Sequence, residues 1–146
     1  MGEAVSGTNR APLSAVVVGG CGLILVGIGL YFCWLRPALL PEDARYIGAT
    51  LEELQTVAPG MGRWLDRVFW VLGGYITATG ILTVYLAATA LRARVRGAGA
   101  AVAVAGAVSI GSMAVVNVLI DSDFKVPLVA VATLWGVAMV LYWRGR

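Results

Sequence analysis

Histidine is absent, cysteine occurs only twice, and charged residues make up just 13% of the 146 positions. Each scarcity removes a class of chemistry. Without histidine, zinc sites of the common kind lose their ligands, and a serine or cysteine nucleophile lacks its usual base. Cys21 and Cys33 fall in one apolar run, about 18 Å apart along a helix, which is too far for a disulfide. The glycines lie among apolar residues, with no Lys, Ser or Thr at the offsets of a phosphate-binding loop. Nor does any ionisable side chain fall inside a long apolar run, where a charge costs about 2.5 to 3.5 kcal/mol on insertion scales. These absences assign no catalytic residue, no cofactor and no metal ligand, and the chain does not read as an enzyme.

Apolar sequence takes the place of charge. The apolar set supplies 60% of the residues, whereas soluble domains carry about a quarter charged residues. Four runs are long enough to cross a bilayer, which needs roughly 20 residues for its ~30 Å hydrocarbon core. They cover residues 13–35, 68–91, 98–120 and 126–143. The expected fold is an all-α membrane protein: one membrane domain over 1–146, built as a four-transmembrane-helix bundle, with an outer loop at 36–67. The first run continues past the length of a secretory signal core, so it reads as an uncleaved anchor. Gly19-Gly20-Cys21 imitates a lipidation site, but Gly22-Leu23-Ile24-Leu25 follows where a polar tether would be required.

The formal charge of +3 does not describe a nucleic-acid binder, because the basic residues gather at run ends. Arg10, then Arg92, Arg94 and Arg96 in one short connection, then Arg144 and Arg146, fall on one side. The other side mixes Arg36, Arg45, Arg63, Arg67 and Lys125 with Glu42, Asp43, Glu52, Glu53, Asp66, Asp121 and Asp123. Short loops rich in Lys and Arg stay in the cytoplasm. A multi-pass protein with both termini cytoplasmic and the 36–67 loop outside is therefore expected.

Within that loop, Thr50 and Glu53 form a capping box for a short amphipathic helix whose Leu51, Leu54 and Ala58 share a face, stopped by Pro59-Gly60. The helix suits the membrane surface, with Glu42, Asp43, Glu52 and Glu53 pointing to water. Small residues mark helix-packing faces. In the first span Gly20 and Gly27, and Gly22 and Gly29, recur at seven-residue spacing; the second carries Gly73, Thr77, Gly80 and Ala87; the third has Gly99, Ala103, Ala107 and Gly111 four apart. Such ridges let backbones approach closely. The third span has few long side chains to offer lipid, so a central position against other spans or a second copy is expected. Asn117, the one strongly polar side chain in a span, is expected to bond between helices. With Glu42 and Asp43 it makes the candidate polar site.

The segment Leu40-Pro41-Glu42-Asp43-Ala44-Arg45-Tyr46-Ile47-Gly48, followed by Arg67-Val68-Phe69-Trp70-Val71-Leu72-Gly73-Gly74-Tyr75, resembles small bacterial four-span proteins and the DoxX-like layout. The resemblance implies a bacterial inner membrane and no assigned activity. Three functional readings follow. The first is a non-catalytic accessory subunit or homo-oligomer whose partners are the bilayer and a membrane protein or a second copy. The second is a carrier or binder of a lipid or weakly polar solute. The third is a membrane enzyme working from the acidic outer loop.

Overall fold

The computed structural model describes residues 12–145 and contains helices and turns but no strand among them; Arg10 and Arg146 of the charge pattern lie outside the described residues. Four helices are long and apolar enough to cross a membrane, so this is a multi-pass all-α membrane protein. The spanning helices are α1 (Leu13–Trp34), α4 (Met61–Leu91), α5 (Ala98–Leu119) and α6 (Lys125–Arg144). Two short helices, α2 (Pro41–Ile47) and α3 (Leu51–Val57), fill the long connection.

The α3 helix starts as its sequence predicts: Thr50 N–H donates to Glu53 Oε2 at 2.7 Å and Glu53 N–H donates to Thr50 Oγ1 at 3.1 Å. Leu51, Leu54 and Ala58 are its half-covered face. Two boundaries differ from expectation. The second spanning helix begins at Met61, directly after Pro59-Gly60, so the connection is shorter than 36–67. Pro41 also opens a helix, α2, with Leu40 N–H bonded to Asp43 Oδ2 at 2.9 Å. Proline suits a first helical turn because its missing N–H would have no partner there.

The bundle is held by two kinds of close contact. Between α1 and α4, a Cβ on Gly73 would lie 2.6 Å from the carbonyl oxygen of Gly29, and one on Gly80 would lie 2.7 Å from that of Gly22. Backbone meets backbone at both points. Apolar side chains gain little by leaving lipid for protein, so this fit of surfaces supplies the attraction. Gly73, Thr77 and Gly80 thus form the packing face their spacing predicts. Between α5 and α6, aromatic rings lie on glycines instead: Tyr142 covers Gly99 and Trp135 covers Gly106. Trp135 is 3% exposed, and its indole Nε1 donates to the carbonyl of Val102 at 3.2 Å.

These contacts set the order of the helices. The α4 helix lies along α1, α1 also meets α6, and α6 meets α5; α4 and α5 approach chiefly at the end near the arginine connection. The centre is α1, whereas α5 is the least buried of the four. The expected central position of α5 is therefore corrected for the single chain. Its buried face runs through Gly99, Val102, Gly106, Ile110 and Ala114, leaving Ala103 and Gly111 half-covered and Ala107 exposed. The large rings of α6 select the two glycines seven residues apart, so that of the four-residue ridge Gly99 is covered while Ala107 is turned outward.

Near the arginine connection the bundle is fastened. Gly97 takes φ +85° to turn the chain into α5. Arg94 donates from Nη1 to the carbonyl of Tyr142 at 3.1 Å, with its guanidinium 5.2 Å from the Tyr142 ring centroid. A cation beside the last carbonyls of α6 also complements the negative end of that helix.

Candidate functional site

Toward the other end, α4 and α5 separate, and the space between them is a cavity of about 890 Å³. Its walls are Leu25, Ile28, Tyr31 and Phe32 of α1, Leu72, Tyr75, Ile76 and Thr79 of α4, Val108, Ser112 and Met113 of α5, and Leu128 and Val131 of α6. Tyr75 and Val108 line the cavity from opposite sides and are each 71% exposed. They mark an opening on the flank of the bundle, near the middle of the two spanning helices.

Polar groups collect at one end, where Arg36, Glu42, Asp43, Asn117 and Ser122 line the cavity. Glu42 is 3% exposed, and Ser122 Oγ donates to its Oε1 at 3.4 Å. Phe124 N–H donates in turn to Ser122 Oγ at 3.1 Å. Asp43 is half-buried and accepts from Arg36 Nη2 at 3.0 Å. The expectation that Glu42 and Asp43 point to water is thus overturned: α2 folds over the end of the bundle and turns both carboxylates inward. Arg45 of α2 reaches the α5–α6 connection as well, 3.5 Å from Asp123. Glu52 and Glu53 of α3 remain exposed, so the acidic loop residues do not form one group.

Arg36 is held on several sides. Its Nη1 donates to the carbonyl of Pro37 at 2.9 Å and its guanidinium lies 3.7 Å from the centroid of Phe69. Ring faces attract cations in this way. The Phe32 ring stands 5.4 Å from the Arg36 guanidinium, and Tyr31 and Phe124, 6.3 Å apart between centroids, are further aromatic rings lining the cavity.

Several hydroxyls in the spans are committed locally. Thr77, Thr79 and Thr89 donate to carbonyls four residues back, at 2.8, 2.8 and 2.7 Å. Asn117 does the same, donating to Met113 at 2.9 Å, which corrects the expected bond between helices. Its carbonyl oxygen is left as an acceptor. Behind this wall α5 widens into a π-turn over Ala107–Gly111, a departure from regular helix often found beside sites. Ser109, within that turn, donates to Ala105 at 2.6 Å.

The arrangement can hold an elongated molecule, apolar along its length and polar at one end. Among the described residues no three His, Cys, Asp or Glu side chains are grouped to hold a metal ion. No family model, no curated protein and no solved structure matches this chain.

Proposed function

We propose that this protein binds one amphiphile drawn sideways from the bilayer, as a carrier or receptor for it. The observation behind this reading is the cavity at the α4–α5 seam, with mainly apolar walls, a lateral opening and its charged groups gathered at one end. Its volume is at the upper end of the roughly 300–1,000 Å³ of small-molecule sites. A filled variant tests it. Met113→Trp occupies the cavity, and native mass spectrometry of protein extracted in nanodiscs should show a bound amphiphile on the unaltered chain and loss of it from the variant. Equal retention by both would overturn the reading.

The setting we propose is a bacterial inner membrane with both termini cytoplasmic, which places the polar end of the cavity outside. Support comes from the three arginines at 92, 94 and 96 and from the DoxX-like layout of the outer loop. Labelling of a cysteine introduced at Glu52 by an impermeant thiol reagent in whole cells is expected; protection until the cells are opened would reverse the topology.

The accessory or homo-oligomeric reading has its own support in the exposed Ala107 and half-covered Ala103 and Gly111. Ala107→Leu would then change particle size or partner content in mild detergent, and an unchanged profile would dismiss it.

A further inference from the structure

We infer that the amphiphile carries a positively charged head, an ammonium group on an apolar body, read by Glu42 with Tyr31 and Phe124. The inference rests on the proposed amphiphile site and adds its chemical class. Among the described residues three charged side chains line the cavity: Arg36, Glu42 and Asp43. Two of them answer each other, with Arg36 Nη2 3.0 Å from Asp43 Oδ2. Nη1 of Arg36 donates to the Pro37 and Ala38 carbonyls, and Phe69 lies over its face. An anionic head would therefore have to compete with Asp43 for the cation that, among the described residues, lines the cavity.

Glu42 is different. It is almost wholly removed from solvent, yet it accepts one hydrogen bond, a long one of 3.4 Å from a neutral serine. A buried carboxylate is normally paired with a cation or held by several donors. Among the described residues no donor meets its second oxygen, and Glu42 lines the cavity. Tyr31 and Phe124 line the same cavity, 6.3 Å apart between centroids, and aromatic rings are the recognition surface for ammonium groups. Carboxylate and rings stand at the polar end while the walls below are mainly apolar and carry no charge, which is the order of charge and chain in a cationic amphiphile.

The test uses the full chain reconstituted in phosphatidylcholine vesicles. Three C18 probes carry the same chain nitroxide and differ in the head: trimethylammonium, hydroxyl or sulfate. Electron paramagnetic resonance reads the motionally restricted fraction of each. The ammonium probe should associate at least about tenfold more strongly than the other two, as expected of a desolvated opposite charge. Glu42→Gln should level the three, and Glu52→Gln should leave the ranking intact. Should Glu42→Gln fail to reconstitute, Tyr31→Leu is the second variant, lowering ammonium association severalfold with the hydroxyl probe unchanged. Equal association of all three heads, abolished by Met113→Trp, would overturn the cationic head and keep the amphiphile site. A preference for sulfate would overturn it in favour of Arg36. No restriction of any probe would remove both readings.

Discussion

Ser122 and Glu42 lie 80 residues apart in the chain and meet as a buried hydrogen-bonded pair at 3.4 Å, which ties the α2 cover to the connection between α5 and α6. Ser122 also receives the Phe124 N–H. Ser122→Ala breaks both links. A loss of about 1 kcal/mol is expected, the usual scale of such bonds, with faster amide exchange across 41–47. Unchanged exchange in α2 would show that the cover is held by other contacts.

The α1–α4 contact makes a sharper prediction because it is backbone against backbone. Gly73→Ala places a methyl 2.6 Å from the Gly29 carbonyl oxygen, whereas Gly20 and Gly27 face open space. Overpacking of this kind costs about 1–3 kcal/mol. Unfolding by denaturing detergent should therefore occur earlier for Gly73→Ala and Gly29→Ala and at the same point for Gly20→Ala and Gly27→Ala.

Trp135 separates packing from hydrogen bonding. Trp135→Phe keeps most of the ring over Gly106 and removes the 3.2 Å bond to Val102. Side-chain bonds between membrane helices average about 0.6 kcal/mol, so a small loss is expected. Trp135→Ala leaves a void costing about 3–5 kcal/mol. The same unfolding assay measures both, and equal losses would make the hydrogen bond the main contribution.

Acid should loosen α3 before the spans. Bonds from the backbone and hydroxyl of Thr50 hold the Glu53 carboxyl below its ordinary value. A carboxylate with a depressed folded value stabilises above its unfolded value and loses that contribution as pH falls through the folded one. Amide exchange in 51–57 should rise as pH drops below the usual glutamate range. Glu53→Gln should flatten this dependence, and an identical pH profile in the variant would assign the effect elsewhere.

The spanning helices and the α3 cap were legible because each rests on local chemistry: an unbroken apolar run, or a threonine three residues before a glutamate. The glycine face of α4 was legible for the same reason, since Gly73, Thr77 and Gly80 share one side of a helix whatever lies opposite. Partner choice was not legible. Gly99 and Gly106 carry the α5–α6 contact because Tyr142 and Trp135 are also seven residues apart, and only the paired helices reveal that match. The α2 start was available in Pro41-Glu42-Asp43, a proline followed by acidic residues as at many helix N-termini. Its inward-facing Glu42 was hidden, because solvent exposure is the ordinary expectation for a loop carboxylate. The cavity depends on where α4 and α5 part, which no single segment encodes.

An apolar seam that faces hydrocarbon is not a vacant receptacle. On the proposed amphiphile reading, an acyl chain of the surrounding lipid takes the place between Tyr75 and Val108 when no cargo is present, so every binding event is an exchange of one chain for another. The aliphatic walls then contribute little to preference, since they welcome any tail equally. Discrimination falls to the few groups at the polar end, and the apparent affinity for any cargo will rise or fall with the composition of the membrane that competes for the same place.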